Sequence, residues 1–215
     1  VSTATVDSAD LTIPSTVELN LENDVEITVG DGNTLTIESE ITGSGNLTIK
    51  GDGKVIFKVQ NPFSNNVFVE GNSTLELDGS NSSNNTIADD ALVQVGADAE
   101  LDIPTDETLG PVIGAGTISI ASGKTLTLQI DDDDDSPNVQ VFSGQITGDG
   151  NLEKTGTGAY RLDNDGTETE GLNTGGVTSE SDYKGTTTIT AGTLYATGQS
   201  IGDTSAVTVN GGASL

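Results

Sequence analysis

Cysteine, histidine, methionine and tryptophan are all missing from these 215 residues, and basic side chains are scarce: 7 lysines and arginines stand against 34 aspartates and glutamates, a formal net charge of −27. Each shortage excludes something. Without histidine or cysteine the chain has no Ser-His-Asp or Cys-His triad and no Cys/His zinc site. Disulfide stapling is impossible. Phosphate recognition needs clustered lysine and arginine, and Arg161 is the sole arginine, so nucleic acid is excluded as a partner. The same charge opposes docking on anionic lipid, and no run approaches the ~18 apolar residues of a membrane span, so direct membrane insertion is not expected.

What is present is not a disordered acidic tail. Hydrophobic residues make up 32% of the chain and glycine numbers 28. Valine, isoleucine, leucine and threonine outweigh the helix formers, a composition suited to short strands and tight turns. The chain begins at Val1 without a charged-then-apolar signal segment, and it reads as a processed piece of something larger.

An internal repeat carries the fold prediction. Apolar residues recur at x, x+2, x+8 and x+10: Leu11, Ile13, Leu19 and Leu21; Ile27, Val29, Leu35 and Ile37; Leu47, Ile49, Val55 and Phe57; Val67, Val69, Leu75 and Leu77. The pattern continues through Val93 to Ile103 and Ile118 to Leu128, returns at Leu152, Lys154, Tyr160 and Leu162 with one polar member, and begins again at Val207 and Val209. Each copy reads as strand, five-residue corner, strand. The residue at x+1 is usually polar (Thr12, Thr28, Thr48, Ser119), which puts x and x+2 on one face. Corners such as Gly30-Asp31-Gly32-Asn33 and Gly51-Asp52-Gly53 are built from residues that accept positive φ.

Such a unit cannot bury its own apolar edge, so neighbours must stack. The expected fold is all-β: a parallel β-helix, or solenoid, with coils of about 20 residues. Leu11 is expected over Ile27, Leu47 and Val67 in one internal ladder. Residues 1–215 form a single such segment, with insertions at 78–92, 129–142 and 163–186 standing off the tube. A longer echo, Ile41-Thr42-Gly43-Ser44-Gly45-Asn46-Leu47 against Ile146-Thr147-Gly148-Asp149-Gly150-Asn151-Leu152, suggests duplication of coils.

One stretch resembles a known family. Gly150-Asn151-Leu152-Glu153-Lys154-Thr155-Gly156-Thr157-Gly158 is followed by Tyr183-Lys184-Gly185-Thr186-Thr187-Thr188-Ile189-Thr190-Ala191-Gly192-Thr193-Leu194. These segments resemble the passenger-associated repeat of bacterial autotransporters, in which a G-x-L-x-K-x-G-x-G coil leads into Y-x-G-x-T-x-I-x-x-G-T-L. The likeness covers residues 146–215, with residues 41–57 as a weaker copy. It implies a right-handed β-helix exported to the bacterial cell surface, usually as part of an adhesin or stalk. The loop at 163–182 is longer than the family's, and no membrane-barrel segment is present. The motif is a scaffold signature and carries no catalytic residue.

The most conspicuous chemical feature is the run Asp131 to Asp135. Read as an EF-hand it fails, because Ser136 stands where glycine is needed and Phe142 where glutamate is needed. It remains either a solvated acidic loop or a looser oxygen-donor site for Ca²⁺ through Asp131, Asp133 and Asp135. Asp163 and Asp165, in Asp163-Asn164-Asp165-Gly166, offer a second candidate pair, against which an ordinary Asx turn is the simpler reading. Phe63, in the loop Asn61 to Asn66, and Phe68, at an outward position, are candidate ligand-binding residues for a sugar or a protein; packing of that loop onto the tube is the alternative. The threonines at x+1 resemble a flat ice-binding face, but Phe68, Gln94 and Glu153 interrupt them. Arg161 falls outward, whereas Lys154 falls inward and is expected to snorkel out or to sit at a distorted coil.

The function expected is a non-catalytic extracellular scaffold or adhesin segment. Its expected partners are the rest of its own chain or identical copies, through the ends of the tube, and glycans or proteins of host or neighbouring cells. Two alternatives are a β-helix that binds or cleaves polysaccharide with a carboxylate groove, and a module stiffened by Ca²⁺.

Overall fold

The computed structural model describes residues 1–62, 64–81, 86–131, 139–164, 180–202 and 206–215. Among these the chain is all-β, with no α-helix and one 3₁₀ turn at Gly79–Asn81. The strands pair in parallel and form three faces of one solenoid. The first face is a nine-stranded sheet running from Ser2–Val6 through Val25–Val29, Leu47–Gly51, Val67–Val69, Val93–Val95, Val112–Gly114, Gln140–Phe142 and Ala159–Asn164 to Thr193–Gly198. The second has seven strands, from Leu11–Ile13 to Gln145–Gly148. The third consists of Leu19–Leu21 with Ile41–Gly43, a single bridge between Asn61 and Ile87, and then five strands from Glu107–Leu109 to Ala206–Val209.

Register shows how the coils stack. Ser2, Val25, Leu47, Val67, Val93 and Val112 stand successively side by side, so one coil takes about 22 residues, slightly more than the roughly 20 expected from the repeat. On the second face Leu35, Val55, Leu75, Leu101, Ile118 and Ile146 make an internal column in the same way. Alternation sends these residues inward and leaves Thr36, Glu76 and Asp102 outside, because successive strand residues point to opposite sides of the sheet. The inward residues join into one continuous core from Val6 to Leu194. Burial of each Val, Leu or Ile contributes roughly 1.5–3 kcal/mol, and nearly all of it depends on the coil above or below.

The corner between the first and second faces explains two of the glycines. Gly51 and Gly114 have φ of 99° and 111°, and a Cβ at either would lie 2.1 Å from the carbonyl oxygen of Val29 or Val95 in the coil before. Only a residue without a side chain accepts both the left-handed backbone and this close approach.

The ladder expected from the repeat is correct from Leu47 through Val67 to Val93 and wrong at its start. Leu11 stands against Leu35, on the second face, whereas Ile27 stands between Ala4 and Ile49 on the first. The cause is geometric. The tube has three corners, and apolar residues flank each at nearly the same separation. The repeat at Ile27 to Ile37 spans the first-to-second corner, those at Leu11 to Leu21 and Ile118 to Leu128 span the second-to-third, and that at Leu152 to Leu162 spans the third-to-first. Apolar spacing detects a corner without saying which one it is.

The expected insertions are narrower than 78–92, 129–142 and 163–186, because regular coil reaches into all three. Thr86 and Ile87 are buried on the third face, Gln129 ends a strand, and Gln140–Phe142 is a first-face strand. Asp163 and Asn164 extend the strand Ala159–Asn164, and Asp182 and Lys184 hydrogen-bond through their backbone N–H groups to Ile146 and Gly148 on the second face. The edges were obscured because several buried residues there are polar: Thr86, Asp163 and Ser181.

Candidate functional site

The outer surface of the tube carries most of the charge, and four of its lysines are tied to carboxylates. Lys54 on the second face lies 2.8 Å from Glu76 and 3.8 Å from Asp102, one and two coils on. Lys50 on the first face bridges Glu26 and Glu70 at 2.9 and 3.4 Å, Lys58 pairs with Asp78, and Lys124 stands 3.9 Å from Asp106. Half-buried Glu100 and Asp102 are both held above the usual carboxylate range. Burial is the main cause in each; the charge of Asp102 adds to it at Glu100 and that of Glu76 at Asp102, while Lys54 opposes it at both. These cross-coil ladders offset repulsion that the stacking itself creates.

The first face differs along its length. Thr48, Phe68, Gln94 and Ile113 form one outward column. Pairing of Gly114 with Phe142 sets Ile113 beside Val141, and the column then continues through Arg161 to Tyr195. Phe68 and Arg161 are half-buried, whereas Tyr195 keeps 44% of its surface exposed. The Arg161 guanidinium lies over the Tyr195 ring, 5.4 Å from its centre. Arg161 thus occupies the outward position read from the repeat, next to an aromatic neighbour that spacing alone did not reveal.

The residues expected to bind metal fare unevenly. Asp131 is exposed at the end of the third-face strand Thr125–Gln129, and its Oδ2 accepts a hydrogen bond from Gln129 Nε2 at 3.2 Å. Asp133, Asp135 and Asp165 lie outside the described residues, as does Phe63. Asp163 is no turn residue: it pairs with Thr197 inside the first-face sheet, is 5% exposed, and accepts a hydrogen bond from Thr197 Oγ1 at 2.7 Å. Among the described residues no three acidic side chains converge in a way that could hold a metal ion.

Two buried charged residues matter more to the architecture. Lys154 neither snorkels nor distorts its coil. It sits inside the tube between Leu128 and Ile189, 1% exposed, and its Nζ donates to the carbonyls of Thr155, Gly156 and Ala191 at 2.7, 2.9 and 3.4 Å. The third-to-first corner turns its carbonyls inward there, so the ammonium finds oxygen without reaching solvent.

Glu107 escaped the sequence reading. It points inward from Glu107–Leu109 and ends a buried polar column on the third face. Ile41 N–H donates to Asn61 Oδ1 at 2.7 Å, Asn61 Nδ2 donates to the Thr86 carbonyl at 2.9 Å, and Thr86 N–H and Oγ1 donate to Glu107 Oε1 at 2.7 and 2.9 Å. The Ile87 N–H adds a third donor, while Oε2 is buried without a hydrogen-bond partner. Burial pushes this carboxyl up to about 7; the bonds from Thr86 and Ile87 oppose the shift and the charge of Asp89 adds to it.

The surface also has an open groove of about 520 Å³ lined by Ser15, Glu38, Glu40, Val59, Gln60 and Pro62, where the second-to-third corners of the first coils stack. Its two carboxylates, hydroxyl and carboxamide suit hydrogen bonding to a polyol. No described helix is long and apolar enough to cross a membrane, which leaves strand-built membrane barrels untouched. No protein-family model, curated protein or solved structure matches the chain.

Proposed function

We propose that this chain is a non-catalytic extracellular segment of a bacterial surface protein, an adhesin-like β-helical scaffold that holds its loops and outer faces away from the cell. The observation that supports this reading is the unbroken first face: nine parallel strands from Ser2 to Gly198, each resting on the next. A solenoid of this kind is a stiff spacer, and loops on a rigid scaffold are where such proteins place recognition. Export as an autotransporter passenger is supported by the likeness of residues 146–215 to that family's repeat. High negative charge keeps a long, edge-rich β-structure soluble and apart from its copies.

The test is adhesion and turnover measured together. Beads carrying the full chain are expected to bind bacterial or host cells. Replacing 132–138 and 165–179 by short Gly-Asn turns is expected to reduce binding without lowering the melting temperature. Release of shortened glycans from a polysaccharide mixture, lost when Asp131–Asp135 are changed to asparagine, would instead establish the enzyme alternative. The calcium-stiffened alternative requires the melting midpoint to fall when chelator is added; an unchanged midpoint ends it.

A further inference from the structure

We infer that Arg161 and Tyr195 form a binding site on the outer first face for a carboxylate-bearing sugar unit of a glycan. The inference rests on the adhesin reading and names the site and ligand class that such binding would use. Its starting point is an imbalance of partners. In a chain with 34 acidic and 7 basic residues, every cation has a surplus of carboxylates to choose from. Lys50, Lys54, Lys58 and Lys124 have each taken one or two. Arg161 has none within ion-pair reach among the described residues, and its Nε is buried with no hydrogen-bond partner. Among the described residues exposed Lys184 also lacks a carboxylate within ion-pair reach, but it has no aromatic ring contact there.

Geometry prepares the guanidinium for a planar anion. The guanidinium carbon of Arg161 lies over the Tyr195 ring, 5.4 Å from the centroid, a favourable cation–π contact that holds the fork beside the ring. A guanidinium has five N–H donors in a rigid array that matches a carboxylate in bidentate fashion, and it is weakly enough hydrated to pair at a partly dry surface. Asp163 lies two residues along the same strand, yet it does not take the fork; it is 5% exposed and accepts a hydrogen bond from Thr197. Tyr195, 44% exposed, sets an apolar ring and a hydroxyl beside the fork. Val141 lies next along the column and is half-buried, giving a non-polar floor against which the C–H face of a sugar ring can rest.

The column supplies direction as well. Successive coils are about 4.8 Å apart, so a glycan lying along the axis from Tyr195 would pass Arg161, Val141, Ile113 and Gln94 and reach Phe68. The remaining negative charge does not forbid this, because at physiological ionic strength it is screened beyond about 8 Å. Contact with the fork decides the binding.

The test titrates the full chain at physiological salt with four probes: trigalacturonate, its methyl ester, sialyllactose and lactose. At least one acid is expected to bind, about tenfold or more tightly than its ester or neutral counterpart. Arg161→Gln is expected to bring the acid down to the level of the ester with the melting temperature unchanged. Arg161→Lys, which keeps the charge and loses the fork, is expected to bind between wild type and Arg161→Gln. Tyr195→Ala should weaken the acidic and neutral probes alike. Equal binding of acid and ester, wild-type affinity in Arg161→Gln, or no binding of either acid would each overturn the inference. If beads still adhere to cells while neither acid binds, the site fails and the adhesin reading stands; if adhesion is also absent, both fail.

Discussion

A carboxyl inside an apolar tube ties stability to pH through a single residue. Glu107 is held at about 7, against about 4.5 for an ordinary glutamate. Below the lower value it is neutral whether the chain is folded or unfolded, and its contribution to stability is then at its fullest. As pH rises from 4.5 toward 7 the unfolded chain ionises first, stability falls, and above 7 the loss is complete, on the order of 3 kcal/mol. Glu107→Gln keeps the oxygen that accepts from Thr86 and Ile87 but cannot ionise. Its stability relative to wild type, from urea melts at pH 4.5, 6 and 8, is therefore expected to rise with pH and level off above 7. A constant difference would show that Glu107 titrates in the folded chain as it does in the unfolded one, with no upward shift. Nothing in the spacing of Glu107 announced this role; it occupies an inward position that the repeat would have given to an aliphatic residue. Lys154 was legible as inward, but its partners are backbone carbonyls at a corner, which a sequence does not display.

At the scale of strands and corners, the alternation of apolar and polar residues was enough to find strands on all three faces, because period two has only one structural meaning in a half-buried strand. Yet it missed Ser2–Val6, Glu107–Leu109 and Val112–Gly114 and left Gln140–Phe142 inside an insertion. It was not enough to assign the faces. Leu11 and Ile27 share a spacing pattern and lie on different sheets, since the corners of the tube resemble one another in sequence. Polar buried residues hid the rest: Asn61, Thr86 and Asp163 read as loop and are buried in coil. The calcium readings at Asp131 and Asp163 drew on turn chemistry, and Asp163 proved to be a strand residue. The corners themselves give a paired prediction. Gly32 and Gly51 both have positive φ, at 72° and 99°, but a Cβ meets nothing within 4 Å at Gly32 and lies 2.1 Å from Val29 O at Gly51. Gly32→Ala is expected to cost about 1–2 kcal/mol, the backbone penalty alone. Gly51→Ala should cost several kcal/mol because coil spacing must open as well. Equal losses in chemical denaturation would mean that the close approach at Gly51 is not an energetic constraint.

For the whole molecule, stacking sets hydrophobic gain against electrostatic cost. Each coil adds buried aliphatics to one shared core and also adds carboxylates to ladders only about 4.8 Å apart. With a formal charge of −27, self-repulsion is part of the folded state's energy at neutral pH. Raising NaCl from 10 to 150 mM at pH 7.5 is therefore expected to raise the melting temperature by several degrees, with a much smaller rise at pH 4.5. The same increment at both pH values would show that specific ion pairs, and not net charge, govern the response. The central claim is that consecutive coils lie in one axial column, and the absence of native cysteine makes it directly testable. Phe68→Cys with Gln94→Cys, and Asp102→Cys with Ser119→Cys, place cysteines at directly paired outward positions on the first and second faces. Both pairs are predicted to form disulfides in the native protein under mild oxidation, without loss of β-structure by circular dichroism. Bridges that form only in denaturant, with the folded protein remaining reduced, would contradict the stacked solenoid and every inference built on it.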